Sequence, residues 1–571
     1  MVFVYLTTTL ITGLWLIKII REKKIIFRRT LLDIPLLIFL GSQILSTIFS
    51  IDTRTSLLGY YSRFNGGLFS SISYSILYWA YVSNMNREKT LYAIRYTLYA
   101  SVLVSIIAVL EHFGINITCG LMGQGLSSCW VQDVQNRVFS TLGQPNWLAT
   151  WLIALIPLIL YKILDSQNIK RIFLFFLSIL LFAALLFTKS RSAILGFIVA
   201  DLIFWIFAFF IKRKSVIVPL IISNLFFIFL FLIVSTPWNP TKMINSEKVQ
   251  GPALETGGTE SGTIRKIVWK GAFEIWLHYP ILGSGPETFA FSYYQFRPVE
   301  HNLVSEWDFL YNKAHNEYLN IAATTGTLGI LSYLYLAVMI FLVFLKKPNL
   351  FSVSLAAGFS GILIANFFGF STVSTQLQLF LFPALAITIN NEKLISKACR
   401  CAVTNNKKIN SAQKIAIGII LLLTSYFLLL LGRYWYADTL FAKNDVSSLK
   451  KAIQLSPQEA VFHNKLAEVN LSVSESNKAI EISPNNVNLL RSQAGIYLKL
   501  AISDPKYLGS AKTTLLRAIT KAPTDAKLLY NLALVYVRTG EIDQATKLLK
   551  KVIEMKSNYK EAKYLYDIIT R

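Results

Sequence analysis

The sequence is poor in charged residues. Only 15% of its 571 residues are Asp, Glu, Lys or Arg, and 54% are hydrophobic. A soluble globular protein has about a quarter of its residues charged, so this shortage excludes an ordinary soluble protein and points to the membrane. The formal net charge is +25. Because the lysines and arginines fall in short clusters between apolar runs, as signals of membrane topology do, we predict no nucleic-acid partner.

Cysteine and paired acidic residues are also scarce. The four cysteines, Cys119, Cys129, Cys399 and Cys401, are too few for a disulfide-framed scaffold, and none lies in a CxxC pair with zinc spacing. The polar segment before the ninth apolar run has no DxD pair, which argues against a metal-dependent transferase. We therefore predict no metal and no cofactor. Cys119 and Cys129 are compatible with a disulfide if their compartment oxidises thiols.

Long apolar runs are what the sequence has in abundance. A membrane-spanning helix needs about 20 mostly apolar residues, and twelve segments qualify. We therefore predict an all-α fold, with a polytopic bundle of about 12 spans in residues 1–432. The first run lacks a small-residue cleavage site, so we interpret it as a retained helix and not as a signal peptide. The twelve segments lie near 3–20, 31–50, 67–83, 91–111, 147–164, 171–188, 192–211, 215–235, 318–345, 351–370, 373–390 and 415–431.

Positive charges alternate between the connections of this bundle. Six connections, from 21–29 to 393–414, are rich in Lys and Arg, whereas those between them carry few. By the positive-inside rule the rich connections are cytoplasmic. The alternation predicts that the long connection 236–317 and both chain ends lie outside the cytoplasmic (inner) membrane.

The connection 236–317 is too long and too polar for a linker between packed helices. Its apolar residues from Ile264 to Trp276 recur at helical spacing, and the turn signals Gly283-Ser284-Gly285-Pro286 follow them. We predict an amphipathic helix that lies against the bilayer surface or the bundle.

The C-terminal part, residues 441–571, is soluble in composition and self-similar. Four similar segments each contain an Ala/Val-Ile pair. These pairs begin at positions 452, 479, 518 and 552, so their offsets are 27, 39 and 34 residues. These offsets bracket the 34-residue period of tetratricopeptide repeats, which stack into concave surfaces that hold peptides or helices. We predict an extracytoplasmic α-solenoid of this kind, which would bind a protein partner.

The most specific local signal stands where the long connection enters the ninth span. There His315-Asn316 is followed, after nine residues, by Gly326-Thr327-Leu328-Gly329. A histidine at the membrane–water boundary can accept a proton from an incoming hydroxyl. The alternative is an interfacial histidine that hydrogen-bonds a headgroup, with glycines that allow close helix packing.

The string HNEYLNIAATTGTLG at 315–329 resembles the His-Asn-x9-Gly-Thr-x-Gly signature of the O-antigen ligase and polysaccharide polymerase superfamily. Four further strings resemble that family in its order, roughly over residues 40–390: SIDTRTSLLGYYSRFNGGLFS, RVFSTLGQPNWLA, FTKSRSAILG and IRKIVWKGAFEIWLHYPILGSGPETF. Members usually begin in the cytoplasm and have one more span before the large loop, whereas this sequence is predicted to begin outside.

The resemblance implies transfer of a glycan from a polyprenyl-diphosphate carrier to an acceptor hydroxyl on a lipid, glycan or protein. The expected reaction is metal-independent and inverting, with His315 as the general base. Asn316, Gly326 and Gly329 would be supporting residues of the signature. The ligase activities, including protein O-oligosaccharyl transfer, fit the repeats better than the polymerase alternative does.

Arginines are the predicted contacts of the diphosphate. Arginine stays protonated and holds phosphate bidentately, so several arginines can stabilise a charged leaving group as a divalent cation does. The resemblance implies this contact for Arg265 and Arg191, and Arg137 and Arg63 lie on the same predicted side. Each arginine also has a structural alternative as an interface charge, a helix end or a solvated face.

Two function classes other than glycan transfer remain open from the residues. A secondary transporter would have twelve spans as well, but Asp201 is the one ionisable residue clearly in the middle of a span, and no repeat between halves is apparent. A non-catalytic scaffold that displays the repeats would need neither His315 nor the outer arginines.

Overall fold

Long apolar runs fold as helices in a membrane protein, because away from water each backbone amide and carbonyl must be paired within its own segment. The computed structural model describes the chain apart from residues 62, 124, 127, 128, 131, 132, 235–258 and 391–408 and the side chain of Lys214. Its described residues form helices and no strand. Cys399, Cys401 and the first part of the connection 236–317 lie outside the described residues.

The helices are numbered here in chain order. The first ten are α1 (Val2–Glu22), α2 (Asp33–Ile48), α3 (Thr53–Leu58), α4 (Leu68–Asn84), α5 (Arg87–His112), α6 (Ile117–Leu121), α7 (Pro145–Asp165), α8 (Asn168–Phe187), α9 (Arg191–Lys212) and α10 (Ile217–Ile233). The next six are α11 (Ser261–His278), α12 (Phe289–Phe296), α13 (Glu317–Leu345), α14 (Leu350–Asn366), α15 (Val373–Asn390) and α16 (Ser411–Ala442). The last eight are α17 (Val446–Leu455), α18 (Ala460–Asn470), α19 (Val473–Ile482), α20 (Val487–Leu500), α21 (Tyr507–Lys521), α22 (Ala526–Arg538), α23 (Ile542–Met555) and α24 (Lys560–Thr570).

Each of the twelve predicted spans coincides with a helix. Among the described residues, eight helices are long and apolar enough to cross a membrane by length and composition: α1, α5, α7, α8, α9, α13, α15 and α16. The apolar helices α2, α10 and α14 are shorter, and α4 has 17 residues. The chain is a multi-pass membrane protein, as its composition predicts. The helix α16 continues beyond the predicted end of the last span as far as Ala442.

Small residues form the centre of the bundle. Every residue of α14 except two near its C-terminus is buried. A Cβ added at Gly358 would overlap the carbonyl of Ala154 in α7, and one added at Gly196 in α9 would lie 2.7 Å from the carbonyl oxygen of Gly361. Helices approach this closely in membranes where small side chains face each other. These contacts join α7, α9 and α14.

The helices α1 and α16 define the two ends of the bundle. At one end the Tyr5 hydroxyl at the start of α1 donates to the Phe64 carbonyl at 3.2 Å. At the other end the Gln413 side chain at the start of α16 donates to the Ile20 carbonyl at 2.5 Å. The helices α1 and α16 are therefore antiparallel. We call the end that carries Phe64 the loop end and the other the opposite end.

A disulfide joins Cys119 to Cys129 in the connection between α5 and α7.

The predicted amphipathic helix is α11. Its apolar face, from Ile264 to Ile275, packs with Tyr311 and with Ala323 of α13. At the C-terminal part of α11, the Trp276 indole donates to Thr327 at 3.1 Å. Of the two predicted surfaces, the helix therefore lies against the bundle and its own loop.

The C-terminal helices α17 to α24 pack in series on the loop end, each against the next, and the predicted repeats are confirmed as helical. The Ser483 hydroxyl donates to the Asp52 carboxylate at 2.6 Å, and Asn485 donates to the Ile51 carbonyl at 2.8 Å. Arg54 forms an ion pair with Glu459. The repeats and the connection that carries His315 therefore share one end of the bundle.

Candidate functional site

The backbone around His315 is tightly held. His315 has a φ of 53°, a left-handed conformation that is uncommon for residues other than glycine. The next residue, Asn316, is the N-cap of α13, and its side chain accepts a hydrogen bond from the Leu319 amide at 3.1 Å. The Asn320 side chain accepts from the Ala314 amide at 3.2 Å. Asn316 and Asn320 thus fix the backbone on both sides of His315.

The ring of His315 lies between aromatic side chains and is half-buried. Its centroid is 5.9 Å from that of Tyr311 and 5.4 Å from that of Phe370. Burial, and then the nearby charges of Arg265 and Arg63, lower the pKa of His315 to about 4. At neutral pH the imidazole is therefore uncharged and one of its nitrogens can accept a proton.

Arg63 lies next to His315 across Phe370. Its guanidinium carbon is 4.6 Å from the Phe370 ring centroid and 5.6 Å from that of Trp147, at the start of α7. Among the described residues its buried Nη1 atom has no hydrogen-bond partner. Burial lowers the pKa of Arg63, and the carboxylate of Glu287 opposes this shift. A buried guanidinium with a free donor is suited to an anionic ligand.

Arg137 and Arg191 are brought together by the short connection between α8 and α9. Arg137 donates through Nε to the Thr188 carbonyl at 3.2 Å and through Nη2 to the Asn146 side chain at 3.3 Å. Arg191 is the first residue of α9 and contacts Glu260 at 3.3 Å. The positive end of the α9 dipole adds to the attraction for an anion there.

Arg265 interacts electrostatically with His315 and also with Arg137 and Arg191. It is half-buried near the start of α11. Burial and then the charge of Arg137 lower the pKa of Arg265, and the charge of Arg191 lowers it further. Tyr311 and Glu306 oppose this shift. Because the charge of Arg265 also acts on His315, the four predicted arginines and the histidine form one electropositive region. We call these five residues the cationic cluster.

The sequence analysis missed a buried ion pair beside the cationic cluster. Glu287 and Lys313 are 5% and 7% exposed, and their side chains are in contact. The Lys313 ammonium is 6.0 Å from the Phe370 ring centroid. Both side chains also line an internal cavity whose other walls are mostly apolar. Glu287 lies in the string that ends GSGPETF, and Lys313 lies two residues before His315, but nothing in the sequence pairs them.

Two further polar contacts lie behind His315. The Tyr311 hydroxyl donates to Glu306, which holds the tyrosine ring against the histidine. His301 is buried and shares a hydrogen bond of 2.9 Å with the Tyr293 hydroxyl. Burial and the charge of Arg297 lower the pKa of His301 to about 3. Its ring packs against Tyr311 and supports that side chain from behind.

Gly326 and Gly329 have structural roles. Gly326 has a φ of 67° and a ψ of −169° within α13, so the helix is broken there. A Cβ at Gly326 would overlap the Ile281 carbonyl, and one at Gly329 would overlap the side chain of Thr325. Four backbone hydrogen bonds join the turn 280–285 to the break: Ser284 to Ala323 at 3.1 Å, Gly285 to Thr324 at 2.8 Å, Thr327 to Pro280 at 2.8 Å and Leu328 to Ile281 at 3.2 Å.

The repeats contact the segment that precedes His315. The carboxylate of Asp308 receives a hydrogen bond from Arg491 at 3.1 Å and forms an ion pair with Lys527. The Lys556 ammonium donates to the Asn302 carbonyl at 2.8 Å. The segment 297–308 is therefore held by helices α20 to α23 and the turns between them.

Metal ligands do not converge in the described part of the chain, which contains no group of three or more His, Cys, Asp or Glu side chains of suitable arrangement.

The acid in the middle of α9, Asp201, accepts a hydrogen bond from Trp205 of the same helix at 2.9 Å. Asp201 therefore has a partner within its own helix.

Two family models match the chain. Residues 176–334 match the model described as O-Antigen ligase, and residues 514–547 match that described as Tetratricopeptide repeat. The first match includes Arg191, Arg265 and His315 and ends after the break in α13, whereas Arg63 and Arg137 precede it. No protein with a curated description matches the chain.

Proposed function

We propose that the protein transfers a glycan from a polyprenyl-diphosphate carrier to an acceptor hydroxyl, because residues 176–334 match the O-antigen ligase model and residues 514–547 match the tetratricopeptide-repeat model. The proposed place is the outer face of the cytoplasmic membrane. The observation that carries the proposal is an uncharged histidine under the charges of Arg265 and Arg63, with Arg137 and Arg191 acting in turn on Arg265. A cation set binds the diphosphate, and a base beside it activates the hydroxyl.

The arginines act on the leaving group. The bond that breaks joins the anomeric carbon of the glycan to a diphosphate oxygen, so negative charge builds up on that oxygen as the bond lengthens. Arg265 lies centrally and Arg191 and Arg137 flank it, which lets them share the two phosphates. Fixed cations in a partly desolvated site stabilise such charge more strongly than water does.

His315 acts on the acceptor. Its uncharged imidazole takes the hydroxyl proton while the acceptor oxygen forms a bond to the anomeric carbon. The electron pair of the broken carbon–oxygen bond leaves with the polyprenyl diphosphate, and attack from the opposite face inverts the anomeric configuration. The diphosphate ester supplies the free energy, so the reaction needs no nucleotide. The proposal includes no metal.

Binding of the donor strengthens the base. Arg265 and Arg63 lower the pKa of His315 in the free protein, and a bound diphosphate offsets their charge. The pKa of His315 therefore rises when the donor is present, because an opposite charge nearby favours the protonated form. The imidazole becomes a better proton acceptor only when a glycan is ready for transfer.

This coupling predicts two different pH profiles. The value of kcat/KM reports the free protein, so it should be constant near neutral pH and fall as the pH drops through about 4, where His315 becomes protonated. The value of kcat reports the donor complex, so it should fall at a higher pH. Initial rates from about one pH unit below the midpoint for kcat/KM up to neutral pH would show both profiles.

Arg63→Gln provides the matched test of the electrostatic cause. Removing one nearby cation should raise the pKa of His315 and move the fall in kcat/KM to higher pH. Samples returned to pH 7 must regain full activity, which separates titration from denaturation. A profile that does not move in Arg63→Gln would contradict the coupling.

The product distinguishes ligase from polymerase. We favour a ligase, including the protein O-oligosaccharyltransferase kind, because repeats at the same end as the site suit a protein acceptor or partner. The test is reconstitution with a defined lipid-linked oligosaccharide and candidate acceptors. One block moved to a new acceptor supports the ligase, a ladder of lengthened lipid-linked glycan supports the polymerase, and no consumption of the donor contradicts both.

The sidedness has its own test. A single cysteine at the exposed position Lys266 in α11, with Cys399 and Cys401 changed to serine, should react with an impermeant thiol reagent added to intact cells. A cysteine in the predicted cytoplasmic connection, at Lys23, should react only after permeabilisation. Labelling in the reverse pattern would contradict transfer at the outer face.

The repeats also have a proposed role within the chain, because they hold the segment that leads to Tyr311 and His315. Asp308→Asn should lower the transfer rate about tenfold, since a displacement of about 1 Å at a reacting group can cost up to 10²-fold. Steady-state rates and hydrogen exchange of residues 297–311 would be measured together.

Glu541→Gln is the control for this change. It removes an ion pair with Lys512 that lies within the repeats at 2.7 Å, so the repeats are perturbed but the segment is not. Its transfer rate should equal that of the wild type. Faster exchange in Asp308→Asn without a lower rate would show that the segment's position does not matter for transfer.

A further inference from the structure

A second electropositive site lies at the opposite end of the bundle from the cationic cluster. Four cationic residues line one pocket: Arg28, Arg29, Lys346 and Lys347. The arginines come from the connection between α1 and α2, and the lysines follow the last turn of α13. The pocket has a volume of about 410 Å³, which is large enough for a ligand headgroup.

Within the described part of the chain, the charges in this pocket are poorly compensated. None of its described lining residues is acidic. Asp33, the first residue of α2, accepts hydrogen bonds from Thr30 at 2.9 Å and from Trp79 at 3.1 Å. The Nη1 atom of Arg28 is buried and has no hydrogen-bond partner among the described residues. A charged donor in this state is costly unless an anion reaches it.

Simple topology rules do not account for the arrangement. Lysines after a helix C-terminus are favoured by the helix dipole, and the positive-inside rule favours cations anywhere on this side. Neither rule requires Arg28 and Arg29, on an irregular connection, to meet Lys346 and Lys347 in one cavity. Convergence of like charges from two distant segments is the mark of an anion site.

The remaining walls of the pocket are mostly apolar. Leu31, Val343 and Ile387 line it together with the cations, and Leu31 is 45% exposed. The helices α13 and α15 both end here, so the pocket lies at the level where the apolar part of the bundle gives way to charged connections. A ligand that enters it meets cations and an apolar wall together.

We propose that this pocket binds the phosphate headgroup of an anionic phospholipid from the leaflet at the opposite end. Basic pockets between membrane helices are suited to such headgroups, and the apolar wall accommodates the start of the acyl chains. This site is independent of the proposed glycan transfer and serves to hold the ends of α2, α13 and α15 to the surrounding lipid.

The test uses the full-length protein in an uncharged detergent. Dioctanoyl phosphatidylglycerol, dioctanoyl phosphatidylcholine and inorganic phosphate are titrated separately, and retained ligand is counted by native mass spectrometry alongside the thermal unfolding temperature. Phosphatidylglycerol should be retained and should raise the unfolding temperature, and phosphatidylcholine should do neither. Equal retention of the two lipids would overturn the proposal. Protection by phosphate alone would overturn the lipid assignment.

Two double variants complete the test. Arg28→Gln with Lys346→Gln should weaken retention of phosphatidylglycerol on the order of tenfold, since each cation near a membrane surface contributes separately. Lys23→Gln with Lys24→Gln removes the same charge from exposed residues of the same connection that do not line the pocket, and should bind as the wild type does. Arg29→Gln with Lys347→Gln repeats the first variant if that one is unstable. Wild-type retention in a folded pocket variant, or equal weakening in the control, would overturn the site.

Discussion

Replacement of His315 by asparagine should lower the rate of glycan transfer by about 10²- to 10⁴-fold, which is the usual contribution of a general base. Asparagine suits this position because it tolerates the left-handed backbone better than most residues do, and His315 has a φ of 53°. The variant therefore keeps the fold and loses only the proton acceptor. Single-turnover transfer at saturating lipid-linked oligosaccharide would measure the loss.

The matched control is His278→Asn. His278 is exposed at the end of α11, in the same connection but outside the cationic cluster, and its replacement should leave the rate unchanged. If His315→Asn transferred at the wild-type rate, His315 would not be the base. The buried His301, whose Nε2 atom has no partner among the described residues, would then be the next candidate to replace.

Replacement of Arg265 by glutamine should lower kcat/KM by about 10²- to 10³-fold, comparable to the loss of one donor that stabilises a charged intermediate. Arg265 has this large effect because it lies at the centre of the cationic cluster and acts on both the diphosphate and His315. Arg191→Gln should cost less, since the Arg191 side chain is 57% exposed and solvent screens its charge. Arg265→Lys should recover part of the activity, because lysine keeps the charge but not the bidentate geometry.

Lys266→Gln separates the position of the charge from its amount. Lys266 is the next residue of α11 and is exposed, so the variant removes the same net charge from the same helix. Its kcat/KM should remain within the experimental spread of the wild type, at all salt concentrations. Equal losses in Arg265→Gln and Lys266→Gln would mean that the loop end attracts the donor by net charge alone, without a defined diphosphate contact.

The sequence predicts the helices well because the signal is local. A run of apolar residues reports its own burial in lipid, and each of the twelve runs coincides with a helix. The helix α11 is also predicted correctly, since its apolar positions from Ile264 to Ile275 repeat at helical spacing. What such a pattern leaves undecided is the surface that the helix covers, which depends on residues distant in the chain, such as Ala323.

The sequence predicts a site residue only where that residue alone indicates a chemical role. His315 and the four arginines can be selected from the sequence by chemistry and by resemblance, and the structure brings them into one region. The pair Glu287 and Lys313 cannot be selected in this way, because each residue alone looks like an ordinary surface charge of the loop. The contact of Asp308 with Arg491 is equally invisible, since 183 positions separate the two and no local pattern connects them.

The break at Gly326 determines how the active region can move. The turn 280–285 completes the interrupted hydrogen bonding of α13, so α11, this turn and the start of α13 form a single stiff unit that includes Arg265 and His315. The distance between the proposed anion contact and the proposed base is then set before any substrate arrives, and little reorganisation energy is spent during the reaction. Such preorganisation limits motion. Moving this unit away from the bundle would break four backbone hydrogen bonds at once. Substrates must therefore enter, and products must leave, while the site stays fixed.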